Sequence, residues 1–294
     1  MMTDDFLEYL RLERNYSAST VKNYKEALSS LSSYFKEVDG SHAWGTIDSD
    51  IVRGWMERLM DEGLKPSTVN GMLSGVRSFY RWALRCGLVK HNPAHSLSGP
   101  KLRRPLPHFV RDKDMDGILD PQRWGDDYDS VLARTLLIVF YETGVRLSEL
   151  IGLKDEDVSL INSEVKVTGK RNKQRVIPFG AEMAQAVAAY RGRRDEEIAE
   201  RQSDAFFLNK RGRRVSRAQV DKVVKSNLSL VPTLGRRSPH VLRHSFATAM
   251  LNHGAGLESV KKLLGHESLA TTEVYTHTTF EQLKRVYKHA HPRA

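Results

Sequence analysis

Ser238-Pro239-His240-Val241-Leu242-Arg243-His244, then Leu263-Leu264-Gly265-His266, then Tyr275: this stretch decides how the rest of the chain is read. Pro239 suits the first turn of a helix, where its missing N–H costs nothing. His240 and Arg243 lie three residues apart and so project from one face. Leu242, Phe246, Ala249, Met250 and Leu251 supply the helix's buried side, and Gly254 and Gly256 break it. Leu257 to Leu264 reads as a further helix that Gly265 ends, presenting His266 just past its C-terminus. Ser268 to Thr272 makes one more turn, with Tyr275 beyond it.

Working upstream, an apolar helix is predicted from about Tyr128 to Glu142, built on Val131, Leu132, Leu136, Leu137, Val139 and Phe140 and ended by Thr143-Gly144. Arg146 follows in Gly144-Val145-Arg146-Leu147-Ser148-Glu149-Leu150. A charge set between apolar stretches points to a buried ion pair or a ligand, and Glu149, three residues on, can hold the guanidinium. Glu164 to Thr168 alternates as a strand and pairs with Arg175 to Pro178. Between them lies the turn Gly169-Lys170-Arg171-Asn172-Lys173-Gln174, dense in cations. A short helix is predicted near Asp112 to Leu119, and further helices from about Glu182 to Arg201 and from Ser216 to Leu228, with Phe206-Phe207-Leu208 as a short strand between them. Phe280, Leu283, Val286 and Tyr287 form an apolar stripe on a last helix.

The first hundred residues read as helices only. Phe6, Leu7 and Leu10 mark one face of a short helix. Ser17 caps a longer one carrying Val21, Tyr24, Leu28, Leu31 and Phe35. A third runs from Asp48 to Asp61, and Pro66 opens a fourth with Val69, Leu73, Val76, Phe79 and Ala83 inward. The other face of that fourth helix carries Arg77, Arg81 and Arg85, which suits either a solvated surface or a DNA groove. Asn92-Pro93 ends the helical region. Gly99-Pro100-Lys101-Leu102-Arg103-Arg104-Pro105-Leu106-Pro107 then reads as a basic, semi-extended connector. The expected division is 1–98 as a helical domain, 99–108 as linker and 109–294 as a mixed domain. The fold class is therefore mainly α with a small antiparallel β-sheet.

The 294 residues carry a net charge of +10 and a pI of about 9.6, the electrostatic footprint of a nucleic-acid-binding protein or simply a solvated basic surface. One cysteine, Cys86, excludes an intramolecular disulfide framework. No apolar run approaches a membrane span, and the acidic Met1-Met2-Thr3-Asp4-Asp5 lacks the order of a signal peptide. A cytoplasmic location is expected.

Taken together, Arg146, Lys170, His240-x-x-Arg243, Leu264-Gly265-His266 and Tyr275 resemble the tyrosine recombinase (phage integrase) family, in order and spacing and over nearly the whole chain. Gly169-Lys170-x-x-Lys173-x-Arg175, His240 through Thr248 and Tyr275-Thr276-His277 resemble its bacterial Xer group. The ending, Val286-Tyr287 and Ala290-His291-Pro292-Arg293-Ala294, is similar to one branch of that group more than to the other. The resemblance implies a helical core-DNA-binding domain and a mixed α/β catalytic domain that form a C-shaped clamp on DNA. It implies that Tyr275 attacks a DNA phosphate to form a 3′-phosphotyrosyl link. Arg146, Arg243 and His266 would stabilise the charge, His240 would act as base, and Lys170 would act as acid for the leaving 5′-hydroxyl. Glu149 would support Arg146, while Arg77, Arg81, Arg103, Arg104, Lys173 and Arg175 would contact DNA.

The same resemblance implies no metal and no ATP as cofactor, and a double-stranded DNA target. It implies a homo- or hetero-tetramer with a second Xer-type recombinase, docked through the C-terminal helix, and a DNA translocase as activator, with the protein associated with the nucleoid. The purpose would be resolution of chromosome dimers at cell division. A mobile-element integrase uses the same residues; the chain shows no extra N-terminal arm-binding domain, which favours the Xer type. A DNA-binding regulator without chemistry stays open as a different class. His240 and His244 have the spacing of a zinc pair on a helix, but no glutamate adjoins His240 and no cysteine is near.

Overall fold

The structure is a computed structural model that describes residues 2–40, 43–102, 108–169, 172–265 and 277–293. The chain divides into two compact units, Met1–Pro105 and Leu106–Ala294.

The first unit is built from α1 (Met2–Leu12), α2 (Ala18–Asp39), α3 (Ser49–Asp61) and α4 (Pro66–Arg85). Local chemistry sets their ends. Ser17 accepts from the Thr20 N–H to start α2, and Asp48 accepts from Asp50 and Ile51 to start α3. Pro66 stands in the first turn of α4. The inward stripes meet in one core around Phe6, Leu31, Trp55 and Phe79, each 3% exposed or less. Phe6 meets Phe79 edge-on with ring centroids 5.5 Å apart. The segment after α4 is sewn back onto it. Arg77 donates from Nε to the Ala94 carbonyl at 2.9 Å and from Nη2 to the Leu97 carbonyl, and Asn70 Nδ2 donates to the Pro100 carbonyl at 2.8 Å.

The second unit opens with α5 (Asp112–Leu119) and α6 (Tyr128–Thr143). Asp127 caps α6, whose residues from Thr135 to Thr143 are all buried, so it is the central helix. Next come α7 (Leu147–Gly152), β1 (Val158–Ser159), β2 (Glu164–Thr168), β3 (Gln174–Pro178) and α8 (Ala181–Glu197). The sheet is antiparallel in the order β1-β2-β3, with Val165 opposite Ile177 and Val167 opposite Arg175. The two-residue β1 escaped the sequence reading because it is too short to show alternation. The chain closes with α9 (Arg217–Leu228), α10 (Pro239–Asn252), α11 (Leu257–Leu264) and α12 (His277–Ala290).

Two expectations differ. α8 stops at Glu197 rather than at Arg201, and Phe206-Phe207-Leu208 is not a strand. Those three residues are fully buried between isolated bridges, Lys154 to Ala205 and Leu208 to Arg214. Two of their carbonyls find side-chain donors, Tyr128 OH to Leu208 O and Arg194 Nη1 to Phe206 O, both at 2.9 Å, and the third, of Phe207, accepts from the Val215 backbone N–H at 3.1 Å.

In this single chain α12 packs on its own domain. Leu283, Tyr287 and Ala290 are buried. Tyr287 OH donates to Glu142 Oε2 at 3.3 Å, and the His291 ring stacks on Tyr287 with centroids 4.9 Å apart. Arg293 pairs with Asp116 at 2.6 Å and with Glu182.

Candidate active site

Four segments meet at the C-terminal end of α11. The last carbonyls of a helix have no partner within it and carry the negative end of its dipole, so they draw cations. Here three successive ones each accept from a different arginine. Arg175 Nε reaches Leu263 O at 2.7 Å, Arg243 Nη2 reaches Leu264 O at 2.7 Å, and Arg146 Nη2 reaches Gly265 O at 3.1 Å. Gly265 turns the chain with φ of +64°, and a Cβ there would lie 3.1 Å from Arg175 Nη1, so this position admits glycine on both counts.

Arg146 stands just before α7, and Glu149 in the helix's first turn folds back to it. The carboxylate accepts from the Arg146 backbone N–H at 2.8 Å and from Arg146 Nη1 at 2.7 Å. Its two oxygens also accept from Nη1 and Nη2 of Arg175, both at 2.9 Å, in a two-pronged pair. Burial alone would raise the Glu149 carboxyl, but Arg175 and Arg146 outweigh it and hold it at about 2. Glu149 is therefore a fixed anion shared by two guanidiniums.

Arg243 differs from its two neighbours. It is 7% exposed, and its nitrogens donate to the carbonyls of Leu264 and of Gly144, the latter at 2.6 Å. Among the described residues no carboxylate bonds it. Burial, with Arg146 and Arg175 nearby, pulls it down to about 10. Gly144 presents its carbonyl from a left-handed turn, φ +59°, where a Cβ would stand 2.5 Å from Phe246 Cδ1. Among the described residues at this corner three guanidiniums stand against one carboxylate, an unbalanced positive charge of which the Arg146 side chain, 33% exposed, faces solvent. Such a corner binds an anion.

The remaining expected residues fall as follows. His240 is exposed on α10. His244, one turn on and also exposed, is lowered by burial of its ring and by His240, Arg243 and Arg236. Among the described residues no group of three or more His, Cys, Asp or Glu could hold a metal ion. Lys170, His266 and Tyr275 lie outside the described residues, as do Arg103 and Arg104. The residues that precede Lys170 and His266 are described. Gly169, which precedes Lys170, sits beside Glu149: a Cβ there would be 3.3 Å from Oε1. Gly265, which precedes His266, holds Arg146.

Two cations grouped in the sequence with DNA-contacting residues occupy different places. Arg175 is 6% exposed and all three of its guanidinium nitrogens donate internally, to Glu149 and Leu263. Strand alternation carries the missing signal, since Arg175 shares a face with buried Ile177. Arg77 is occupied by the Ala94 and Leu97 carbonyls. Arg85 stacks over the Tyr9 ring at 4.9 Å, whereas Arg81 and Lys173 are exposed.

Residues 109–282 match the phage integrase family, and residues 3–87 match the phage integrase N-terminal SAM-like domain. Tyrosine recombinase XerC of Pelotomaculum thermopropionicum is 36% identical over 303 residues, covering 99% of this chain and 98% of the relative. Tyrosine recombinase XerD of Oceanobacillus iheyensis is 33% identical with the same coverage of each, 99% and 98%. Among solved structures, the XerH site-specific recombinase bound to palindromic difH substrate in a post-cleavage complex shares the fold, with a TM-score of 0.74 and 20% identity over 96% of this chain and 83% of that one. A lambda integrase(75–356) dimer bound to a COC′ core site does so with a TM-score of 0.65 and 16% identity, over 93% and 98%.

Proposed function

The chain belongs to the phage integrase family and is a tyrosine recombinase, a site-specific DNA recombinase; from that premise we propose that it cuts and rejoins duplex DNA through Tyr275 to resolve chromosome dimers at cell division. The observation that carries this reading is the arginine corner at the end of α11, where Arg243 is buried with no carboxylate among the described residues bonded to it, beside the half-open Arg146. A scissile phosphate supplies the missing anion. Its two nonbridging oxygens take the N–H groups of Arg146 and Arg243 that no described residue occupies, and the charge that builds on them in the transition state meets donors already in place. His266, next after Gly265, adds a donor.

In the forward step the Tyr275 phenol oxygen bonds to phosphorus and the bond from phosphorus to the 5′ oxygen breaks. The phenol proton passes to His240, and the departing 5′ oxygen takes a proton from Lys170. One phosphodiester becomes one phosphotyrosyl ester, so the bond energy is kept and neither ATP nor metal is needed. A 5′-hydroxyl from the partner duplex then reverses the step on the exchanged strand. Arg81, Lys173, Arg103 and Arg104 contact backbone phosphates and fix register without reading sequence.

The working unit is a tetramer on two duplexes, built with a second recombinase of the same kind and switched on by a DNA translocase. In it α12 leaves its own domain for a neighbour's. Among the described residues no helix is long and apolar enough to cross a membrane, and the cytoplasm, at the nucleoid, is the proposed place of action.

The test takes the duplex that the protein selects most tightly from a random pool and nicks it beside the scissile phosphate. Without Mg²⁺, wild type accumulates a covalent protein–DNA adduct and Tyr275→Phe does not. Strand exchange between two such sites follows; relaxation of DNA without exchange, or no adduct at all, would refute the reading.

A further inference from the structure

Arg175 stands apart from the residues that touch a phosphate, and the structure assigns it as a positioning residue for cleavage, one that sets Arg146 and the end of α11 through Glu149 and the Leu263 carbonyl. The assignment rests on the reading of the site given above. Arg175 is buried, so it does not reach the DNA. What it does reach are two separate parts of the site, Glu149 and the end of α11. From β3 its two terminal nitrogens grip both oxygens of Glu149, and its Nε holds Leu263 O at 2.7 Å. The absent side chain of Gly265 leaves room for the same guanidinium, to which a Cβ would come within 3.1 to 3.3 Å. The peptides that bear the carbonyls for Arg243 and Arg146 are therefore indexed against Arg175. So is β2, with which β3 pairs from Glu164 to Thr168.

Charge gives Arg175 a second task. Glu149 already accepts from Arg146 twice. Without Arg175 the whole carboxylate is free to neutralise Arg146, and the corner loses half of the surplus that attracts a phosphate. Only arginine serves both needs at once. Its planar fork offers parallel N–H groups to a carboxylate while Nε points elsewhere; a lysine ammonium is a single point that keeps the charge and loses the geometry.

Three variants separate positioning from folding: Arg175→Lys, Arg175→Met and Arg175→Met with Glu149→Gln. For each, the rate of adduct formation on the nicked duplex is measured in a single turnover, beside the affinity for that duplex and the melting temperature. The expected result for Arg175→Lys is affinity within about twofold of wild type and cleavage about 100-fold slower, the effect of displacing catalytic groups by an ångström. Arg175→Met is expected to cleave more slowly still, and adding Glu149→Gln to recover about tenfold by removing the carboxylate that would otherwise neutralise Arg146. A merely structural residue would lower melting temperature and affinity together and leave the folded fraction cleaving normally. Cleavage within about threefold of wild type in both folded single variants, or a double variant no faster than Arg175→Met, would overturn the assignment. Absence of adduct from wild type would overturn the reading of the site beneath it, an outcome distinct from either.

Discussion

Glu149→Gln is the perturbation whose size follows most directly from the structure. The side chain is 2% exposed and accepts four hydrogen bonds, two from Arg146 and two from Arg175. Burial works against its charge, yet the two arginines hold the carboxyl at about 2 rather than 4.5. That difference favours the charged, folded form by about 3 kcal/mol. Glutamine keeps the volume, loses the charge, and turns an N–H₂ toward guanidinium donors. Loss of about 3 kcal/mol agrees with the cost of removing one partner from a buried ion pair, about 3–5 kcal/mol. For a unit of this size it amounts to about 6–12 °C in melting temperature.

Calorimetry on the full chain reads this, with the transition of the helical first unit as an internal reference. The sign of the pH dependence is fixed. A carboxyl lowered on folding contributes stability that is complete above 4.5 and is lost as pH falls through the folded value. The gap between wild type and Glu149→Gln is therefore expected in full at neutral pH and shrinks toward pH 2. A shift below about 2 °C at pH 7, or a gap that does not change with acid, would refute the reasoning.

Two further outcomes follow. Burial raises the Glu142 carboxyl to about 8, so the folded state holds a proton that the unfolded state releases above 4.5, and stability falls as pH climbs through that window. His291, lowered by burial to about 4, acts oppositely but only up to about 6.5. From pH 6.5 to 8 the loss stands alone, at up to about 1.4 kcal/mol per pH unit, and urea unfolding of Glu142→Gln should show that slope flattened. On the first unit, Arg81→Ala should weaken DNA binding and reduce the salt slope by about 1, while Arg77→Ala should instead lower the melting temperature of that unit, because its guanidinium holds the chain after α4.

Much of this was legible because the catalytic pattern is written in residue types that serve no ordinary core. Arg146 between apolar stretches and His240-x-x-Arg243 on one helical face each carry a local signal, and hydrophobic periodicity placed their helices. What stayed hidden is long-range. Nothing near Leu263, Leu264 or Gly265 tells that their carbonyls meet Arg175, Arg243 and Arg146 from 88, 21 and 119 residues away. The basic turn before Arg175 groups it with surface cations, although its strand parity matches buried Ile177. Arg77, Arg81 and Arg85 look equivalent at four-residue spacing; only tertiary structure separates a carbonyl clamp, an exposed cation and a ring stack.

The claim on which the account turns is that the arginine corner answers the negative charge of one phosphate. Removing that charge from the DNA tests it most directly. The nicked duplex is made with a methylphosphonate at the scissile position, which deletes one charged oxygen, and single-turnover adduct formation is compared for wild type and Arg243→Ala. On the ordinary phosphate Arg243→Ala should lose about 100-fold or more; on the methylphosphonate, most of that loss should disappear. An equal loss on both substrates would mean that Arg243 serves the fold and not the phosphate.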